Sequence, residues 1–275
     1  MQFKLGETLY DGSRPLIMGI LNITPDSFYP GSRYPDTAGA VEKALEMVGQ
    51  GADIIDIGGE SSRPGAEQIT AEEESARVMP VIRALTSKSS VPVSIDTGRA
   101  AVARQAVEKG ACIVNDISAL RFDPDLADVV SSTNVSVVLM HMQGTPETMQ
   151  SDPHYDNVVD DILAFLNERV RYAVSHGIPE ERIIVDPGIG FGKSLDHNLT
   201  ILRNIGRFHE TGCAVLVGAS RKSMIGKITG APLEDRLWGT AAITAHCVLS
   251  GVEIHRVHDV ASMRQICDVA AAIRG

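Results

Sequence analysis

The chain has 275 residues, enough for one large α/β domain or two of ordinary size. With 44% hydrophobic and 22% charged residues, it has the composition of a globular protein with a substantial core, which excludes intrinsic disorder, collagen and coiled coil. The 25 Lys and Arg against 35 Asp and Glu leave a net charge of −10, which argues against nucleic acid or an anionic membrane as partner and confines any anion to a local basic pocket.

Taken in order, the chain opens on MQFKLGETLYDG, where charge and turn residues arrive too early for the apolar region of a signal peptide. The FKLGETLY within it predicts a small hairpin covering the floor of whatever follows. Short apolar runs ending in polar residues then recur at residues Leu16–Ile23, Asp53–Gly58, Val91–Thr97, Cys112–Ile117, Ser136–Met142, Ile183–Asp186, Ala214–Ser220 and Glu253–His258. Between them the apolar residues recur at three- and four-residue spacing with charges opposite, as in Ala38–Gly49 and Glu72–Thr86, which predicts amphipathic helices. Gly49-x-Gly51, Gly110, Gly177 and Gly251 stand where four such helices stop. No apolar run reaches the ~18 residues of a membrane span.

Eight strands alternating with helices match a TIM (β/α)8 barrel in length, whereas a doubly wound sheet has fewer strands and a glycine-rich first turn. The expected fold is therefore α/β, a TIM (β/α)8 barrel with a short N-terminal β-hairpin, with residues 1–275 forming a single domain. Cys112, Cys213, Cys247 and Cys267 have neither a C-x-x-C pair nor metal-ligand spacing, so they read as reduced, buried thiols and a cytoplasmic location is expected.

Active sites of such barrels lie at the C-terminal ends of the strands, and here those ends are polar throughout. The first run ends in Asn22, the second in Asp56 and Gly58-Gly59-Glu60, the third in Asp96, the fourth in Asn115-Asp116, the fifth in His141 and the sixth in Asp186. Ser220-Arg221-Lys222 closes the seventh and Arg256-Val257-His258-Asp259 the eighth. Any one of these residues could simply cap a helix or face solvent, but all eight ends together call for chemistry. Asp96, Asn115 and Asp186 suit the edge of a flat heterocycle with several N–H donors, since a carboxylate accepts two in parallel. Lys222, Arg256, His258 and Arg63 suit a phosphate or diphosphate, and Asn22 offers an oxygen to a hard cation such as Mg²⁺.

Two segments, Thr24–Asp36 and Ser61–Thr70, are long for barrel connections, lack a helical period and read as lids. Phe28 and Tyr29, aromatic in an otherwise polar loop, support this for the first. The string Gly188-Ile-Gly-Phe-Gly-Lys-Ser194 imitates a phosphate loop, but Pro187 occupies the position where that motif requires its first glycine. It reads instead as a sharp turn after the sixth strand, with Phe191 near a ring pocket and Lys193 on the surface.

In order along the chain, GILNITPDSF (19–28), DIGGESSRPGA (56–66), SIDT (94–97), NDI (115–117), LMHMQGTP (139–146), DPGIGFGK (186–193), SRKSMIG (220–226) and RVHDV (256–260) resemble the dihydropteroate synthases of bacterial folate synthesis. The resemblance implies a transferase that joins (7,8-dihydropterin-6-yl)methyl diphosphate to 4-aminobenzoate with Mg²⁺, giving 7,8-dihydropteroate and diphosphate along an SN1-like path. It assigns Asp96, Asn115, Asp186 and Lys222 to the pterin, with Met140, Gly218 and Phe191 as pocket wall. Ser62, Arg256 and His258 fall to the diphosphate, Asn22 to the metal, and Phe28, Arg63, Pro64, Lys222 and Ser223 to the aminobenzoate. Asp96, Lys222, Arg256 and His258 are thereby the catalytic set. The resemblance also implies a homodimer and competitive inhibition by sulfonamides.

The chain departs from the family pattern in the first loop, where Pro30 replaces an Asp, and at Ser62, where many members have Thr. The rival expectations are a pterin-dependent methyltransferase domain, which would not need the cationic strings, and a non-catalytic pterin-binding homologue, which the altered first loop alone favours.

Overall fold

The computed structural model describes residues 1–23, 36–60 and 69–275. The leading hairpin forms as β1 (Phe3–Leu5) paired antiparallel with β2 (Thr8–Tyr10). Eight further strands, β3 (Leu16–Asn22), β4 (Ile54–Gly58), β5 (Val93–Asp96), β6 (Ile113–Asp116), β7 (Ser136–Met140), β8 (Ile183–Asp186), β9 (Ala214–Val217) and β10 (Ile254–Val257), close into an all-parallel barrel in sequence order, β10 pairing with both β9 and β3. Most are a few residues shorter than the apolar runs, because the run ends already bend into loops: the run Val91–Thr97 becomes a strand only over Val93–Asp96.

Period-two alternation sorts the strand residues to two sides. Outward residues such as Ile17, Ile55, Val114, Val137 and Val215 form one large core with the helices. Inward residues near the strand starts, among them Met18, Ile54, Ile113, Val138, Ile184, Leu216 and Ile254, pack with Phe3 and Leu5 of the hairpin. The hairpin thus plugs the N-terminal mouth, and Ser136 Oγ ties it down by donating to Lys4 O at 2.8 Å and accepting from Gly6 N–H at 3.2 Å. Two residues further along the strands, the same inward positions become Asp56, Asp96, Asn115, Asp186 and Arg256. The barrel is apolar at one end and charged at the other.

The intervening helices among the described residues are α1 (Thr37–Gly49), α2 (Ala71–Thr86), α3 (Ala100–Glu108), α4 (Leu126–Ser131), α5 (Val158–Ser175), α6 (Leu195–Arg203), α7 (Ser223–Thr229), α8 (Leu237–Leu249) and α9 (Val260–Arg274). Their starts are chemically marked. Asp36 and Asn157 cap α1 and α5, and Thr70 with Glu73 forms a capping box on α2. Gly51, Gly110, Gly177 and Gly251 all adopt positive φ just past α1, α3, α5 and α8, as their sequence positions predict.

All four cysteines are unpaired, and Cys213, Cys247 and Cys267 are buried. Among the described residues, no helix is long and apolar enough to cross a membrane. Trp238 on α8 and Val269 and Ile273 on α9 are 78%, 62% and 71% exposed, unusual for such side chains.

Candidate functional site

The charged end of the barrel follows from strand register. Asn22, Gly58, Asp96 and Asn115 stand side by side across β3, β4, β5 and β6. Neighbours in parallel register point the same way, so these four share the barrel interior. Met140 and Asp186 are paired across β7 and β8 in the same manner. Gly58 leaves the gap open between its neighbours, since a Cβ there would lie 3.5 Å from both Asn22 Oδ1 and Asp96 Cβ. Gly218, just past β9, leaves a second bare spot, where a Cβ would lie 3.8 Å from Arg256 and 4.0 Å from Asp186 Oδ2.

Arg256 on β10 is the hub. Its Nε donates to Asp56 Oδ2 at 2.6 Å and its Nη2 to Asp96 Oδ2 at 2.7 Å. Asn115 Nδ2 also donates to Asp56 Oδ2, at 3.2 Å. Asp56 is fully buried, and it was legible only as a strand end, without an assigned role. Its signal is parity, because Asp56 lies two residues before the inward-facing Gly58 and therefore also faces in.

Desolvation inside the barrel is the main force raising the Asp96 carboxyl above its ordinary range, with Arg256 pulling it down and Asp56, Glu74 and Asp116 pushing it up. Asp186 is pushed up to about 6, first by burial, against the Gly188 N–H at 2.7 Å and the charges of Lys222, Lys193 and Arg256. Both carboxylates are therefore short of solvation and gain by receiving N–H donors.

A soft wall adjoins this polar set. Met140, Met142 and Met149 cluster with Ile117 and Phe191. Lys222 Nζ sits 3.9 Å from the centroid of the Phe191 ring, a cation–π contact, and Lys222 itself directly precedes α7. Ser223 is the exposed first residue of α7. His258 is held through Nδ1 by Ser220 Oγ at 3.0 Å, the same oxygen accepting its backbone N–H at 3.2 Å. Phe28, Ser62, Arg63 and Pro64 lie outside the described residues, as do Tyr29, Pro30 and nearly all of both expected lids.

Several polar strand-end residues serve the scaffold. Asp116 points outward, fully buried, and accepts from Ser118 N–H, Ser118 Oγ and Leu120 N–H at 2.7, 3.0 and 2.6 Å. Arg221 forms a fork with Asp259, Nε to Oδ2 at 2.9 Å. Lys193, expected on the surface, is only 3% exposed. Its Nζ reaches His141 Nδ1 at 3.0 Å, His141 O at 3.2 Å and Phe191 O at 2.8 Å, because the turn after β8 folds the side chain inward against β7.

The arrangement presents carboxylates and an amide at one side, cations at the other and an apolar wall beside them. Such a site can hold a flat, N–H-rich ring by its edge and face while an anionic group lies against the cations.

A family model described as a pterin binding enzyme matches residues 18–258. The chain is 45% identical to the dihydropteroate synthase of Synechocystis sp. over 271 residues, 98% of this chain and 94% of that one. The structure of Yersinia pestis dihydropteroate synthase in a sulfonamide drug complex superposes with a TM-score of 0.94 at 39% identity, covering 100% of this chain and 99% of the other. That of Xanthomonas albilineans dihydropteroate synthase with 4-aminobenzoic acid gives 0.92 at 41% identity, covering 100% and 98%.

Proposed function

The chain belongs to the dihydropteroate synthase family, a family of transferases, and on that premise we propose how its own residues carry the reaction. The observation that carries the assignment is the inward layer in which Asn22, Asp96, Asn115, Asp186 and Arg256 meet at one barrel end beside Phe191 and Lys222. Asp96, Asn115 and Asp186 accept and donate along the pterin edge. Lys222 and Phe191 close its face, with Met140 and Gly218 as further wall. Arg256 and His258 face the diphosphate, joined by Ser62, and 4-aminobenzoate lies between Lys222, Ser223 and the loop residues Phe28, Arg63 and Pro64.

In the reaction, the bond from the pterin methylene to the diphosphate oxygen breaks with its electron pair leaving on the diphosphate. The amine nitrogen of 4-aminobenzoate forms the new C–N bond and releases a proton. No side chain needs to act as nucleophile, since the leaving group is already good. Arg256 and His258 stabilise charge that grows on the leaving oxygens, each such donor being worth ~3 kcal/mol in preorganised sites. The electron-rich dihydropterin spreads positive charge on the methylene, and the anionic Asp96 and Asp186 favour it, which supports an SN1-like path.

The donor set also fits Mg²⁺. Asn22 Oδ1 faces the gap over Gly58, and one neutral oxygen suits a hard cation that keeps most of its waters and takes phosphate oxygens as ligands. Phosphate oxygens of the substrate and water would complete the coordination. An ion held there would neutralise charge on the leaving group.

Residues 1–275 form one domain in this reading, since the hairpin core is continuous with the barrel interior. The exposed Trp238, Val269 and Ile273 support a homodimer formed through α8 and α9. The four unpaired cysteines suit a cytoplasmic location. Sulfonamides compete with 4-aminobenzoate, as the sulfonamide-bound Yersinia relative suggests.

The test is a coupled assay with pterin diphosphate, 4-aminobenzoate and Mg²⁺, following dihydropteroate and diphosphate together. Both products should appear in equal amounts and be lost on adding a chelator or on Lys222→Ala. Binding of pterin diphosphate without either product would instead support the non-catalytic reading.

A further inference from the structure

Lys193 has no assigned role toward the pterin or the diphosphate, yet it is only 3% exposed at this barrel end. Its three acceptors sit on two different loops, His141 Nδ1 and O after β7 and Phe191 O after β8. An ammonium carries three donors, so the protonated form of this group is saturated by these three acceptors. His141 is buried and neutral, its pKa lowered to about 2 by desolvation, Lys193 and Arg121, which leaves Nδ1 able to accept. Burial likewise lowers Lys193 to about 7, with Asp186 pulling it up and Lys222 pushing it down.

The Phe191 carbonyl held by Lys193 belongs to the residue whose ring meets Lys222. The same loop bends back at Gly188, whose φ is +69° and where a Cβ would run into the His141 carbonyl. Gly188 N–H in turn orients Asp186 by donating to its Oδ1. Outer contacts hold the loop from the far side, Gln150 Nε2 donating to Gly190 O and Tyr155 Oη to Gly192 O, each at 2.7 Å.

We propose that Lys193 is a positioning residue for the pterin pocket, a buried three-point clamp that fixes the Phe191 ring and the Gly188 turn against the loop after β7. It acts through Phe191 and Asp186 and does not touch substrate. This rests on the reading that Asp186 and Phe191 bind the pterin.

The test is steady-state kinetics with both substrates on Lys193→Met, which keeps the length and removes the donors, and on Lys193→Gln, whose shorter, neutral amide keeps two of the three donors. KM is read from the folded fraction, so lowered yield leaves the test intact. The expected result is a rise of about tenfold in KM for pterin diphosphate in Lys193→Met, with the KM for 4-aminobenzoate within about twofold of the unsubstituted chain and Lys193→Gln intermediate. Unchanged KM values with only fewer active molecules would overturn the proposal and leave Lys193 a purely structural group. Asp186→Asn in the same assay separates the two layers of the argument. If it leaves the pterin KM unchanged, the pterin reading itself fails; if it raises that KM while Lys193→Met does not, only the clamp fails.

Discussion

Arg256 donates from Nε to Asp56 Oδ2 and from Nη2 to Asp96 Oδ2, so two carboxylates aim one guanidinium from beneath the site. Two of its five N–H groups are spent on orientation, and the others remain to serve an anion. A lysine ammonium cannot reproduce this fork. Arg256→Lys is therefore expected to lower kcat/KM by about a hundredfold, and Asp56→Asn, which leaves the charge but loosens its aim, by about tenfold. Steady-state kinetics on the two variants check the order; equal and small losses would refute the aiming role.

Asp186 links stability to pH. Its usual value is 3.8 and its folded value about 6, so between the two the folded chain holds a proton that the unfolded chain has released. Its contribution to stability therefore falls as pH rises through that window, and the cost of the buried charge is fully present above it. Asp186→Asn should be more stable above pH 6 by on the order of 2–3 kcal/mol, the advantage shrinking toward pH 4, as thermal unfolding at a series of pH values will show. Binding runs the other way. The ionised carboxylate accepts the pterin N–H donors, so pterin affinity should fall as pH drops through about 6, and calorimetric titrations measure this.

The hairpin plug is remote from the chemistry. Phe3 is 1% exposed and packs on the inward residues at the strand starts. Phe3→Ala should cost about 3–5 kcal/mol in chemical denaturation while leaving both KM values unchanged. A shift in either KM would show that the barrel floor communicates with the site.

A dimer through α8 and α9 would cover Trp238, which is 78% exposed in the single chain. Sedimentation should give twice the 29.4 kDa chain mass at micromolar concentration, and Trp238→Glu should return the monomer. A monomer throughout would remove this interface.

The first loop is a sequence feature, with Tyr29-Pro30 where the resemblance to the family implies a loop Asp. If Pro30 stiffens that loop, a Tyr29→Ser, Pro30→Asp double substitution should change sulfonamide inhibition by about two- to fivefold. Identical inhibition constants would remove the idea.

The sequence by itself determined the barrel, its order of elements and the end at which the polar residues gather. Those features are local: apolar runs set strands, glycines at 51, 110, 177 and 251 ended helices, and the polar residue closing each run marked the C-terminal mouth. It also supplied Asp96, Asn115, Asp186, Lys222 and Arg256 as a group; strand register brought all but Lys222 together, and Lys222 joins them from the loop before α7. Only the tertiary structure decided what each of them touches. Asp56 became Arg256's anchor across 200 positions, Asp116 turned outward to cap a turn, and Lys193 turned inward to bridge two loops. The reason is closure. A one-residue change of parity on a strand moves a side chain from the pocket to the helix layer, and contacts across the barrel depend on all eight strands meeting in one register.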